Sequence, residues 1–144
     1  MKKLMMIPFV LLVFLLSGCS ISLDPDLSKV DEFTAVAEEM EVAFTEAKST
    51  FIELNEKPSL SSSDQKTIEL QIEQLREAIG DFKSTEAPFL VKTAKKKVAK
   101  VLNKKEKELI TIQEKAKNGK AEKEDLELMI KLVSDDIEIK FGNK

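Results

Sequence analysis

Residues 30–54, VDEFTAVAEEMEVAFTEAKSTFIEL, decide the fold class. Val30, Phe33, Ala37, Met40, Phe44, Ala47, Phe51 and Leu54 recur at alternating spacings of three and four, which places them on one stripe of an α-helix. About three and a half heptads of such spacing make a seam that must pack against other helices. The helix is expected to start near Asp26, with Asp24 and Asp26 favoured at its positive end, and to stop at Pro58.

Downstream, Ser59 to Ser63 reads as a polar turn, with Ser62 and Gln65 as a capping box. A second helix carries Ile68, Ile72, Leu75, Ile79 and Phe82, with Gly80 weakening its last turn. Ser84 and Thr85 break it. Pro88 suits the start of a third helix, whose stripe is Val91, Ala94, Val98, Leu102, Leu109, Ile112 and Ala116. Lys105 falls where an apolar residue is due, so either the stripe frays or the lysine stem lies along its edge. Asn118-Gly119 is a helix stop, and a fourth helix from Glu122 to Phe141 carries Leu126, Met129, Val133, Ile137 and Phe141. The fold class expected is all-α: an elongated antiparallel bundle of three to four helices, long-short-long-short, over residues 26–144. The phenylalanines sit mainly on apolar stripes and read as core.

Upstream, Met1-Lys2-Lys3 is basic and Leu4 to Leu16 is almost wholly apolar. Thirteen apolar residues suit a signal-peptide core and fall short of the ~20 that span a bilayer. Leu16-Ser17-Gly18-Cys19 then reads as a lipobox. The expectation is a lipoprotein signal peptide over residues 1–18, cleavage before Cys19, and a lipidated N-terminus and short tether over residues 19–25. The Cys19 thiol is the side chain able to form a thioether to diacylglycerol. Multiple acyl chains matter because one alone anchors only marginally. The partner this implies first is the membrane itself, at its extracytoplasmic face.

Composition narrows the chemistry. There is no His, Trp or Tyr, one Cys and four Gly among 144 residues. One cysteine precludes an intrachain disulfide, and without His the commonest general base and metal ligand is missing. Four scattered glycines cannot form a phosphate-cradling loop. The acid clusters Glu38-Glu39-Glu41, Glu122-Glu124-Asp125 and Asp135-Asp136 read as solvated helix faces, and the serines between 59 and 63 lack a base. No catalytic residue, metal set or cofactor is therefore assigned, and the chain reads as a non-enzyme. The net charge of −3 argues against nucleic acid as a partner.

Charge is nevertheless segregated. Asp24 to Glu56 holds ten acids and two lysines, whereas Pro88 to Lys107 holds eight lysines and one glutamate. One reading packs helices one and three side by side, their opposite charges selecting the pairing. The other turns the lysines outward, with Lys92, Lys95, Lys96, Lys97, Lys100 and Lys104 as a candidate site for anionic lipid or wall polymer. The functional expectation is a helical interaction module that binds an envelope protein, with polyanion or lipid-surface binding as the alternative.

With the lipobox, the Lys-rich helix and Phe82-Lys83-Ser84-Thr85-Glu86-Ala87-Pro88 in view, the chain resembles a family of small uncharacterised lipoproteins from Gram-positive Firmicutes. The shared pattern is an acidic helical region, a Phe…Ala-Pro junction and a helix ending in an Asn/Asp-Gly turn. The resemblance implies a Gram-positive envelope and a helical fold, and it carries no catalytic residue to transfer. The strongly basic third helix departs from that pattern.

Overall fold

A computed structural model describes residues 25–135. Four α-helices follow one another: α1 (Pro25–Asn55), α2 (Ser62–Ser84), α3 (Lys92–Lys117) and α4 (Lys123–Ser134), with a 3-10 turn at Phe89–Val91 before α3. No strand occurs among the described residues, so the protein is an all-α bundle. The signal-peptide, Cys19, Ile137 and Phe141 expectations lie outside the described residues.

The stripes read from the sequence form the core. Phe51, Ile68, Ile72, Leu75, Ile79, Phe82, Leu102 and Leu126 are all wholly buried. Phe33 on α1 packs on Phe82 of α2 with ring centroids 5.4 Å apart. The exceptions are at the edges: Val30 is exposed and Phe44 is half-buried. Phe33, Phe51 and Phe82 are core as expected, and Phe89 is the exception, 79% exposed on the turn ahead of α3.

α1 packs on α2 and α4, and α3 packs on α2, with a slighter contact to α4. α1 and α3 are diagonal partners without a direct packing contact. The expected side-by-side pairing of acidic helix one with basic helix three is therefore wrong. In an up-down-up-down arrangement the short loops make sequence neighbours into spatial neighbours, which puts first and third helices across the diagonal. Loop length overrides charge here, because exposed ion pairs contribute little.

Both hairpin turns at the distal end, where α1 and α3 finish, use the same device. Ser61 caps α2 and accepts from the Asp64 amide at 3.1 Å, while Asp64 accepts from the Ser61 amide at 2.8 Å and from Lys57 Nζ at 2.6 Å. The box is thus Ser61–Asp64, one residue earlier than the Ser62–Gln65 pair expected. At the second turn Asp125 accepts from the Glu122 amide at 2.9 Å and from Lys115 Nζ at 2.7 Å. Asp125 is buried, so it does not belong to a solvated acid face. Gln65 has another task. Its side-chain amide donates to the Ala121 carbonyl at 2.8 Å and accepts from the Ala121 amide at 3.1 Å, tying α2 to the α3–α4 loop. Gly119 closes α3 at φ +69°, with Lys120 N–H donating to Lys115 O at 2.8 Å and Gly119 N–H to Ala116 O at 2.9 Å.

Lys105 neither frays the α3 stripe nor lies along its edge. It is buried, its Nζ donates to the Leu132 carbonyl at 2.5 Å, and Asp135 lies 3.6 Å away. The cation sits at the negative end of the α4 dipole and satisfies one of its last carbonyls. α4 ends there, at Ser134, and Asp135 leaves the helix with ψ 108°.

Candidate functional site

Unequal helix lengths create the site. At ~1.5 Å per residue, 31-residue α1 runs ~46 Å and 12-residue α4 only ~18 Å. Lys123 Nζ donates to the Asn55 carbonyl at 3.0 Å, fixing the start of α4 against the end of α1. Running antiparallel from that point, α4 stops beside Phe44. Among the described residues the N-terminal half of α1 has no fourth-helix neighbour, and a groove of about 810 Å³ opens there.

The groove has an apolar floor and an acidic rim. Phe33, Ala37, Met40 and Phe44 of α1 line it, with Pro88, Leu90 and Val91 on the opposite wall and Val133 closing its lower end. Glu38, Glu41 and Asp135 stand at the polar positions, against the single cation Lys48. The first acid cluster of the sequence thus contributes two carboxylates to a rim. These carboxylates neither converge on one another nor meet a base. Among the described residues, no three His, Cys, Asp or Glu side chains gather as a metal-holding group.

A second surface adjoins the groove. Lys29 of α1 pairs with Glu86 at 3.1 Å, which holds the α2–α3 junction against the start of α1. The Lys29 ammonium holds the Glu86 carboxyl below its ordinary range. Just beyond, Phe89 and Leu90 project into solvent, with Leu90 91% exposed. The lysines follow at once. Lys92, Lys96, Lys97, Lys100 and Lys104 are exposed, and none makes a hydrogen bond or ion pair among the described residues. Lys92, Lys96, Lys100 and Lys104 recur every fourth residue, so they form one continuous cationic row along α3.

Lys95 stands apart from that row. It is half-buried, and its Nζ donates to the Lys83 carbonyl at 2.9 Å and to the Thr85 carbonyl. It closes the C-terminal end of α2, and burial pushes its amine below the usual lysine range. Of the six lysines that the sequence singled out, five share an open surface and one is structural.

Sequence reasoning missed the groove and the Phe89–Leu90 tip. A signal for the tip was present: Phe89 and Leu90 are adjacent apolar residues ahead of the third stripe and belong to none of its helical positions. The groove had no local signal, because it depends on where α4 stops relative to α1.

These features define an antiparallel four-helix bundle whose distal end is clamped shut and whose opposite end carries an apolar groove, an exposed apolar tip and a lysine row. No protein-family model, curated protein or solved structure matches this chain. No helix of the described residues is long and apolar enough to cross a membrane.

Proposed function

We propose that this protein is a membrane-anchored extracytoplasmic lipoprotein, lipidated on Cys19, whose bundle is a non-enzymatic interaction module. Its groove takes an amphipathic helix of another envelope protein. The observation that carries this reading is the groove itself: a stretch of the α1 stripe with an apolar floor and room for side chains, which no other described helix covers. Helix-in-groove recognition reads anchors at helical spacing, and the α1 stripe offers the matching holes. The rim selects the partner's charge. With Asp135 paired to Lys105, Glu38 and Glu41 still outweigh Lys48, so a helix with basic residues flanking its apolar stripe is favoured.

Two experiments test the reading. Cys19→Ala should abolish lipid labelling and release the protein from washed membranes; undiminished retention refutes the anchor. For the groove, a photo-crosslinker placed in cells at Thr34 or Glu41 should capture a peptide of one other protein, with apolar residues at helical spacing and basic flanks. Charge reversal at Glu38 and Glu41 should abolish that adduct, and the same crosslinker at Glu73 on α2 should give none. Adducts to this chain's own residues 136–144 would mean that the groove is self-covered and would refute the partner reading.

The lysine row favours a second reading, in which α3 meets an anionic surface. Five exposed lysines without protein partners on one helix face are the specific observation behind it.

A further inference from the structure

We infer that the Phe89–Leu90 tip and the first lysines of α3 form a membrane-docking element, which inserts its apolar side chains into an anionic bilayer and lays the lysines on the headgroups. The inference deepens the second reading above, and it takes only the orientation of the bundle from the Cys19 anchor.

Three observations converge on a lipid surface. The first is the tip itself. Phe89 and Leu90 are neighbours on a 3-10 turn, 79% and 91% exposed, while the flanking Ala87 and Pro88 are buried and hold the turn in place. Leu90 also stands at the mouth of the groove, but Phe89 does not line it, and adjacent Phe and Leu side chains this exposed on a fixed turn suit insertion into a bilayer interface.

The second is charge. Lys92, Lys96 and Lys97 lie within ~8 Å of the turn along α3, inside one Debye length. Lys100 and Lys104 lie ~12 and ~18 Å away on the same rise. The first three therefore meet headgroups when the tip inserts, and each contributes about a fivefold gain in affinity for an anionic surface. No acidic residue lies between Pro88 and Lys105, and the nearby Glu86, which also feels Lys92, is paired with Lys29.

The third is position. Five residues separate Cys19 from Pro25, which allows at most ~20 Å of extended chain between the lipidated sulfur and the start of α1. The Lys29–Glu86 pair at 3.1 Å joins that start to the α2–α3 junction, and Glu86 is three residues from Phe89. The end of the bundle nearest the anchor is thus the end that presents the tip. Two attachments at one end would hold the bundle upright, with the groove opening beside the membrane.

The chain contains no Trp, so Phe89→Trp supplies a single fluorophore. The full-length lipidated protein carrying this change is reconstituted in phosphatidylglycerol–phosphatidylcholine vesicles. The expected result is a blue-shifted emission, quenched by lipids brominated on their acyl chains. An Ile52→Trp protein, labelled near the distal end of α1, should show neither effect. In the Phe89→Trp protein, Lys92, Lys96 and Lys97 replaced together by Gln should sharply reduce quenching, whereas Lys104→Gln should leave it nearly unchanged. Flotation of the same vesicles, with mass analysis of Cys19, reports the anchor separately. Quenching of protein that is not lipidated would sink the anchor and leave this inference standing. Lipidated, floating protein with water-exposed, unquenched emission at position 89 would overturn it. So would lysine-dependent retention by a soluble anionic wall polymer without any quenching in vesicles.

Discussion

Replacing Gln65 should unlock the distal end of the bundle. Its side chain makes two hydrogen bonds to one residue, Ala121, in a place where Gln65 is 8% and Ala121 5% exposed. Gln65→Met keeps most of the volume and removes both bonds, leaving the N–H and C=O of Ala121 without partners. A buried polar group stripped of its partner costs ~1–3 kcal/mol. The loop edge admits some water, so the expected loss is about 2–4 kcal/mol. For a domain of this size 1 kcal/mol moves the melting temperature by about 4 °C, which predicts a fall of ~8–16 °C. Gln65→Ala should lose about 1 kcal/mol more through the cavity. Gln65→Glu adds a diagnostic. At neutral pH its carboxylate still accepts from the Ala121 amide but opposes the Ala121 carbonyl; once protonated it donates to that carbonyl. Its deficit relative to the parent protein at the same pH should therefore shrink on acidification through the carboxyl range. Circular-dichroism melts supply the numbers, and hydrogen exchange at the Ala121 amide localises them. A Gln65→Met protein that melts within ~2 °C of the parent, with Ala121 still protected, would refute the clamp.

The remaining expectations follow from single sites. Asp64 is held down to about 2 by Lys57 and by the Ser61 amide and hydroxyl. Because its folded value lies below the unfolded one, the stability it contributes is complete above about pH 4 and is lost as pH falls towards 2; urea midpoints across that window should drop for the parent and flatten for Asp64→Asn. The two described glycines should respond with opposite signs. Gly80→Ala, inside α2 with nothing within 4 Å of the added carbon, should stabilise by about 1 kcal/mol, whereas Gly119→Ala, at φ +69°, should cost ~1–2 kcal/mol despite equal space. Lys105→Ala should cost ~2–4 kcal/mol by vacating a buried site and freeing the Leu132 carbonyl, and loss of amide protection should concentrate at the C-terminal end of α4.

Much of the bundle was legible because helical burial is periodic. The second stripe, Ile68 to Phe82, needed no partner to be recognised, and each of its members is wholly buried. The Asn118-Gly119 stop was equally local, since only the left-handed residue after a helix demands glycine. What escaped was non-local. Lys105 looked like a flaw in a stripe because its meaning lies in Leu132, 27 residues away. Ser62–Gln65 matched a capping box as a pattern, but Gln65 was already engaged by Ala121, 56 residues on, which left the box to Ser61 and Asp64. The charge blocks invited a pairing that chain connectivity forbids. Five of the six candidate lysines are open and Lys95 is not, a difference set by carbonyls of another helix's end.

The two ends of the bundle differ in how firmly side chains tie them. The distal end holds both Lys–Asp capped turns, the Gln65 clamp and the Lys123–Asn55 bond, so every chain reversal there is pinned by side chains. At the other end the ties are the exposed Lys29–Glu86 pair, Lys95 on the last carbonyls of α2, and Lys83 of α2, which reaches Glu106 at 2.7 Å and Asn103 at 3.0 Å on α3. α2 and α3 are thus joined there, while the start of α1 is tied by an exposed pair of the kind that contributes little, so α1 opens more readily at this end. The groove, the apolar tip and the first lysines of the row are gathered at that more open end. An interaction module gains from this polarity. A partner helix or a lipid surface can reshape the open end without unfolding the chain, because the reversals that hold the four helices in register lie at the opposite end. Among the described residues the same division holds for α4: it seals the clamped end and reaches only the lower end of the groove where binding is proposed.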